Sequence, residues 1–351
     1  MMKLNILIAI SLTVALWGGA PQALAQCQAL PESAAVPEAI KTGQCLELQG
    51  LNTLPRSLVI YGRLIVKAGE RADLAEGARI IVKRGGELSI RGTFSAAPKS
   101  EIVLEDYATV NSSGEFNLKQ DALWSLQRGA TVKNIGQIYL YPGSTARLGR
   151  DVHLSSSGYF IADKAVLSVE GGVLENSGTW EMREGSSAKF AGNTGFMNSG
   201  QLILQQGSTL SLEGRSFLNT KRNLRLWGEC QLSDTATLQN NGIFDLHEGG
   251  VLRLTGGSTV NNAHVINLLG LMSLSGHTLY ENRRNLQIDE LGTLRLAQQA
   301  KMINRGTVYD QGTVQIGYGD SIVNKHIFFI KEHRVNAADF QNLVVKELRQ
   351  D

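Results

Sequence analysis

The chain contains 351 residues, of which 42% are hydrophobic, and its formal net charge is only +2. This length suits one large domain or two ordinary ones, and the nearly balanced charge gives no indication of nucleic-acid binding or of an acidic tail. The 38 glycines and only 6 prolines favour short strands joined by tight turns over a helical bundle.

The first 25 residues have the pattern of an export signal. Lys3 supplies a positive start, residues 4–17 form an apolar run, and residues 23–25 are a small-x-small cleavage site. We therefore predict a signal peptide over residues 1–25. A membrane anchor is the alternative, but the apolar run is short for a bilayer span and polar sequence follows it. No later segment predicts a transmembrane span.

The three cysteines fall into two groups. Cys27 and Cys45 lie near the start of the mature chain, and export would place them in an oxidising compartment, so we predict a disulfide between them. Lipid attachment at Cys27 is the alternative, although Gln26 stands where that modification needs a small residue. Cys230 has no evident partner and is predicted to be a buried thiol that packs as a small hydrophobe.

A motif recurs along most of the chain. The segments FMNSGQLILQQGSTLSLEG, LQNNGIFDLHEGGVLRLTG and MINRGTVYDQGTVQIG share an asparagine, turn glycines and alternating apolar residues. The marker asparagines recur about every 21 residues, with Ser156 replacing one of them. They are Asn111, Asn134, Asn176, Asn198, Asn219, Asn240, Asn261, Asn282, Asn304 and Asn324. A repeat of this length indicates a solenoid.

Each repeat contains three short runs with a period of two, which is typical of strands with one buried side. In one repeat, Trp180 and Met182 share a face of the first run, and Ala188 and Phe190 share a face of the second. We therefore predict an all-β fold, a single-stranded parallel β-helix of about 12 coils over residues 51–330. The marker asparagines are expected to form a hydrogen-bonded ladder, because an amide both donates and accepts.

A solenoid exposes unpaired strands and core at both ends, so caps are expected. Residues 26–50 are predicted to form an N-terminal cap, with a short helix held by the predicted disulfide. Residues 331–351 are predicted to form a C-terminal capping helix with Asn336 as its N-cap. A partner-binding helix is the alternative. Its apolar stripe comprises Phe340, Leu343, Val344 and Leu348.

The repeated pattern N-S-G-x-h-x-h-x-x-G-S-x-h-x-h-x-G, where h is apolar, resembles the β-helices of filamentous haemagglutinins and autotransporter adhesin passengers of Gram-negative bacteria. The resemblance covers most of the mature chain. It implies a right-handed β-helix and an exported protein, located outside the cell, on its surface or in the periplasm. Such repeats also occur in pectate-lyase-like enzymes. We recognise neither the strands expected of an outer-membrane barrel nor the asparagine-proline motifs of a two-partner secretion domain.

Paired carboxylates on neighbouring coils would indicate a polysaccharide lyase or hydrolase, and Asp289 and Asp310 are the best candidates for such a pair. They come from successive coils and are expected within about two strand spacings. Asp310 occupies a position that is usually inward, where an unpaired carboxylate is costly. Its coil is one residue short, so a position in the turn is the alternative. None of the six histidines has metal-ligand spacing, and we expect no metal and no cofactor.

Basic residues follow the marker asparagine in three successive C-terminal coils, where earlier coils carry Ser, Thr or Asn. These are Arg283, Arg284, Arg305, Lys325 and His326. A second outward row, separated by neutral residues, contains Arg147, Lys189, Arg253 and Arg295. A linear cationic strip is suited to an acidic glycan or a lipopolysaccharide phosphate. The ligand-binding residues that we predict are Arg283, Arg284, Arg305, Lys325, Arg253 and Arg295. The alternative is a solvated face whose repulsion is offset by neighbouring acids.

Together these patterns predict an exported, non-enzymatic β-helix protein that acts through its long surface, in adhesion or in binding envelope or matrix polysaccharide. A polysaccharide lyase or glycoside hydrolase of the same fold is the first alternative. A structural envelope component that polymerises end to end is the second, although two caps would argue against it.

Overall fold

The computed structural model describes residues 27–32, 34–330 and 333–335, with side chains for all but the last three. Every regular element within these residues is a β-strand, and the strands form three sheets of 15, 15 and 14 strands. Each complete coil contributes one strand to each sheet, which produces a parallel β-helix of about 14 coils. The predicted dozen is slightly low, because strands already begin at Gln28, before the repeat is recognisable.

The sheets are named I, II and III in the order in which a complete coil enters them. Sheet I contains β1 (Gln28–Leu30), β3 (Cys45–Leu48), β6 (Arg63–Val66), β9 (Glu87–Ile90), β12 (Thr109–Ser112), β15 (Thr131–Asn134), β18 (His153–Ser156), β21 (Val173–Asn176), β24 (Gly195–Asn198), β27 (Phe217–Thr220), β30 (Thr237–Asn240), β33 (Thr259–Asn262), β36 (Leu279–Asn282), β39 (Lys301–Asn304) and β42 (Ser321–Asn324). Sheet II contains β4 (Leu51–Leu54), β7 (Arg71–Leu74), β10 (Thr93–Ala96), β13 (Glu115–Leu118), β16 (Gln137–Leu140), β19 (Tyr159–Ala162), β22 (Thr179–Met182), β25 (Gln201–Leu204), β28 (Asn223–Leu226), β31 (Ile243–Leu246), β34 (Val265–Leu268), β37 (Asn285–Ile288), β40 (Thr307–Asp310), β43 (Ile327–Ile330) and β44 (His333–Val335). Sheet III contains β2 (Ala39–Ile40), β5 (Ser57–Ile60), β8 (Arg79–Val82), β11 (Glu101–Leu104), β14 (Leu123–Leu126), β17 (Thr145–Leu148), β20 (Val166–Glu170), β23 (Ser187–Ala191), β26 (Thr209–Leu212), β29 (Glu229–Leu232), β32 (Val251–Leu254), β35 (Leu271–Ser275), β38 (Thr293–Ala297) and β41 (Thr313–Ile316).

The second and fourth residues of the strands face a core that runs the length of the solenoid. Trp180, Met182, Ala188 and Phe190 are all buried, as the period of two predicts. Equivalent residues of successive coils stack in register, so large side chains meet along the axis. The ring of Trp180, for example, stacks on Phe160 with centroids 4.0 Å apart. The repeat therefore buries one continuous core rather than a series of separate ones.

A ladder of polar residues ends the strands of sheet I, and all of its members are buried except Asn324, which is half-buried. Its members are Ser112, Asn134, Ser156, Asn176, Asn198, Thr220, Asn240, Asn262, Asn282, Asn304 and Asn324. The predicted ladder is confirmed at seven asparagines and at Ser156. It is wrong at Asn111, Asn219 and Asn261, which lie one residue earlier on the outward side, because adjacent strand residues face opposite ways.

The predicted disulfide between Cys27 and Cys45 is present. Cys27 precedes β1 and Cys45 begins β3, and these two strands are hydrogen-bonded neighbours in sheet I. The short helix predicted near this bridge is wrong for the described part of residues 27–50, which contains only strands and turns. Pro31 and Pro37 lack the backbone N–H that a helix interior needs. Cys230 is a fully buried free thiol, as predicted, and burial raises its pKa to about 12.

At the C-terminal end, residues 333–335 form β44, which pairs antiparallel with β43. The rest of the predicted capping helix, from Asn336 onward, lies outside the described residues, as does the predicted signal peptide over residues 1–25. In the described part of the chain, no helix has the length and hydropathy of a membrane span.

Candidate ligand-binding surface

The structure divides the predicted ligand-binding residues between two surfaces. Arg283, Arg284, Arg305 and Lys325 lie in the corner between sheets I and II, where the chain turns after the ladder residue. Arg253 and Arg295 lie on the outward side of sheet III. Because sheet III does not adjoin the corner between sheets I and II, these two groups form separate surfaces.

The ladder holds the backbone of the corner between sheets I and II. The Asn282 side chain donates from Nδ2 to Oδ1 of Asn304 at 2.8 Å and to the backbone oxygen of Thr307 at 3.2 Å. The same Nδ2 lies 3.3 Å from the backbone oxygen of Arg284. One buried amide thus links two successive corners, and the basic residues there project from a fixed backbone.

Glu281 is not among the predicted site residues, and it connects two of the predicted cations. Its carboxylate accepts from Nη2 of Arg283 at 2.9 Å and from Nε of Arg305 at 2.6 Å. The side chain is only 12% exposed. The hydrogen bond from Arg283 is the main cause that lowers the pKa of Glu281, and Arg305 lowers it further. The repulsion expected between stacked arginines is therefore partly offset by one acid.

Two more cations, Lys221 and Arg222, occupy the same corner on an earlier coil. They were missed because Asn219 was assigned to the ladder in place of Thr220, which shifted that corner by one residue. The expectation that earlier coils carry only Ser, Thr or Asn there is therefore wrong. We define the corner row as Lys221, Arg222, Arg283, Arg284, Arg305 and Lys325.

The corner row has an excess of positive charge. Lys221, Arg222, Arg284 and Lys325 make no ion pair with any described residue, whereas Arg283 and Arg305 share Glu281. The coils between Arg222 and Arg283 carry the uncharged residues Asn241, Gly242 and Ala263 together with His264. Five strand spacings separate Lys221 from Lys325, so the row extends over about 24 Å along the solenoid axis.

The cations on sheet III are more dispersed. The register places Ser273 between Arg253 and Arg295, so the two arginines are two strand spacings, or about 10 Å, apart. Arg253 is paired with Glu229 at 3.0 Å. Arg295 and Arg147 have no ion pair among the described residues. This surface therefore has single cations at intervals rather than a continuous strip.

The two candidate catalytic carboxylates occupy unlike positions. Asp310 is the last residue of β40, in register with Ile288 at a core-facing position, and is only 8% exposed. Its Oδ1 accepts from the backbone N–H of Gly312 at 3.2 Å. Asp289 follows β37 in the turn and accepts from the backbone N–H of Glu290 at 2.7 Å. The register thus matches Asp310 with Ile288 rather than with Asp289.

Two pairs of aromatic rings lie near sheet II, and in each pair the two rings stack on each other. Trp227 and His247 stack in parallel, with centroids 3.9 Å apart, and Tyr309 stacks on Phe329 at 5.1 Å. The rings in each pair belong to adjacent coils, so their faces meet along the solenoid axis. Burial lowers the pKa of His247, which favours the neutral imidazole in its stack. Within the described residues, no group of three or more His, Cys, Asp or Glu side chains is placed to hold a metal ion.

Comparisons with known proteins identify no family. No family model matches the chain, and no curated protein matches it in sequence. Among solved structures, the chain is similar to a hyper-glycosylated TibA fragment, whose glycosylation is catalysed by TibC, with a TM-score of 0.43 and 14% identity. The alignment covers 84% of this chain and 97% of that one. A similarity at this level does not assign a function.

Proposed function

We propose that this protein is an exported, non-enzymatic β-helix protein that binds an anionic polysaccharide along the corner row. The observation that supports this function is the six cations of the row, which form ion pairs with only one carboxylate among the described residues, Glu281. Four of the six make no ion pair with a described residue and can therefore meet a ligand without first breaking one.

The shape of the row suits a long, repeating ligand. Guanidinium groups bind carboxylate, sulfate and phosphate through paired hydrogen bonds, and four of the six cations are arginines. The cations are arranged along about 24 Å of the axis, so a polysaccharide lying parallel to the solenoid would meet them in sequence. Acidic envelope or matrix glycans and lipopolysaccharide phosphates have this chemistry.

Two further observations support this proposal, one on the compartment in which the protein acts and one on binding rather than hydrolysis. The Cys27–Cys45 disulfide is typical of an oxidising compartment, in agreement with the signal sequence expected over residues 1–25. The unlike positions of Asp289 and Asp310 favour binding over hydrolysis, because paired acid catalysis requires two carboxyl groups that face one substrate.

The first prediction concerns the corner row. The triple variant Arg283→Ser, Arg284→Ser and Arg305→Ser should bind heparin and lipopolysaccharide at least about tenfold more weakly at physiological salt, since exposed ionic contacts of about 0.5 kcal/mol each act together. The affinity of this variant should also fall less steeply than that of the parent chain as the salt concentration rises. The measurements are titration calorimetry and elution from immobilised heparin.

A matched control removes the same charge from sheet III through Arg147→Ser, Arg253→Ser and Arg295→Ser. This variant should bind within about twofold of the parent chain. Equal loss in both triple variants would show that net charge alone causes retention. Loss in the sheet III variant alone would move the binding surface to that sheet.

A further inference from the structure

One corner between sheets III and I is shorter than its neighbours. Three residues, Glu170, Gly171 and Gly172, connect the positions of Val169 and Val173. Four residues make the same connection in the coil before and in the coil after, at residues 149–152 and 191–194. The short corner is therefore recessed between two longer ones and leaves a notch of about 1030 Å³.

The glycines in the notch cannot be replaced by larger residues without strain. Gly171 has a φ of +80°, in the left-handed region. A Cβ at Gly172 would lie 2.8 Å from the backbone oxygen of Val152. The recess is surrounded by four exposed residues, Arg150, Asp151, Glu170 and Asn193. The notch therefore has a polar rim over a floor of backbone.

A second recess of about 270 Å³ lies on the same sheet, towards the opposite corner. It is lined by Ser155, Glu175, Met197, Asn219 and Lys221, among others. Between the two recesses, Nε2 of His153, which borders the notch, lies 3.3 Å from Oε2 of Glu175, which lines the second recess. We call the pair of recesses, which together cross sheet I from one corner to the other, the transverse groove.

The chemistry of the transverse groove matches a sugar chain. Arg150 and Glu170 make no ion pair with a described residue, and the groove also offers hydroxyl and amide side chains. Val173 and Met197 add exposed apolar surface between these polar groups. Sugar hydroxyls both donate and accept, and their C–H faces pack on apolar side chains, so a saccharide satisfies this mixture.

A peptide strand fits the groove less well. The strands beneath it, β18, β21 and β24, are interior strands whose backbone groups pair with neighbours on both sides. No free edge is therefore available there for strand addition. We infer that the transverse groove binds an oligosaccharide perpendicular to the solenoid axis, as a second glycan site that shares only Lys221 with the corner row.

The experiment uses an array of defined neutral and acidic tetrasaccharides to hexasaccharides, followed by titration calorimetry with each saccharide that binds. Asn193→Trp fills the notch and Ser155→Trp fills the second recess. Each should weaken binding of the groove saccharide at least about tenfold. Thr235→Trp, at the matching corner position two coils later, should leave it within about twofold.

A variant that removes charges without filling space, Arg150→Ala with Glu170→Ala, should also weaken binding, by about fivefold. The serine triple variant of the corner row should retain it, so failure of this inference is distinguishable from failure of the proposed function. The inference is overturned if no saccharide on the array binds the parent chain. It is equally overturned if binding survives both tryptophan substitutions in proteins whose far-ultraviolet circular dichroism matches the parent.

Discussion

The geometry of the corner between sheets I and II depends on the buried asparagine side chains that end the strands of sheet I. Asn262 accepts at Oδ1 from Nδ2 of Asn240 at 2.8 Å and donates from its own Nδ2 to Oδ1 of Asn282 at 2.8 Å. It also donates to the backbone oxygen of Asn285 at 2.9 Å. Since the side chains of Asn240, Asn262 and Asn282 are all buried, loss of one amide leaves partners on two coils unsatisfied.

We therefore expect Asn262→Ala to lower the free energy of unfolding by about 2–3 kcal/mol, which covers the lost hydrogen bonds and the groups left unpaired. The measurement is the shift of the urea midpoint at constant slope. Asn261→Ala is the matched control, because Asn261 lies one position earlier on the outward side, and it should change stability by less than about 0.5 kcal/mol. Equal effects would mean that burial of the amide is unimportant.

The error at Asn219 and Asn261 shows where the sequence pattern loses precision. The marker interval varies by a few residues, and a period of two reverses the side-chain direction with every single-residue shift. At Asn219 the true ladder residue is a threonine, and in Asn261–Asn262 two asparagines are adjacent, so spacing alone does not choose between them. Because of the same one-residue shift, Lys221 and Arg222 were not predicted to lie in the corner. The role of Glu281 could not be predicted from the sequence, because it depends on contacts with arginines from two coils.

At the scale of elements, the strand at the N-terminal edge is the shortest described strand of sheet I. The strand β1 has three residues and one strand neighbour, β3. The disulfide between Cys27 and Cys45 joins the chain at this point. Cysteine spacing and compartment predicted the bridge, whereas the helix prediction failed because pairing with neighbouring strands, which no local propensity reports, organises this segment.

A Cys27→Ser, Cys45→Ser variant should lose protection at this edge but keep the rest of the fold. A loop of this size contributes about 3 kcal/mol when it is cross-linked, so amide exchange in residues 27–48 should accelerate by up to about 100-fold. Hydrogen exchange read by mass spectrometry measures this locally. Peptides from β29 to β32 provide the internal reference, and faster exchange there would contradict a role confined to the edge.

At the scale of the whole molecule, the features that the sequence predicts best are those that recur in every coil. Alternation predicted the buried residues, and their recurrence predicted the stacked strands, because each coil satisfies the same constraint. Features that depend on a difference between coils were not predicted. The notch at Gly171 arises from one missing residue relative to its neighbours, and its shape exists only when three coils are stacked.

Cys230 tests whether this stack behaves as a single cooperative unit. It lies in β29, between Leu210 and Leu252 of the adjacent coils, and is the chain's free thiol because Cys27 and Cys45 are bridged. Burial raises its pKa to about 12, so at pH 8 the native thiol is almost entirely protonated, and it is also inaccessible to reagents.

We expect a disulfide-exchange reagent at pH 8 to label native Cys230 at least about 1000-fold more slowly than the urea-unfolded chain, because access requires opening of the central coils. Labelling should rise with urea in parallel with loss of β-sheet circular dichroism. The Cys27→Ser, Cys45→Ser variant should label at the parent rate in the absence of urea, since its fraying is confined to the N-terminal edge. Labelling well before the loss of β-sheet signal would show that the central coils open independently, and that the solenoid unfolds in parts.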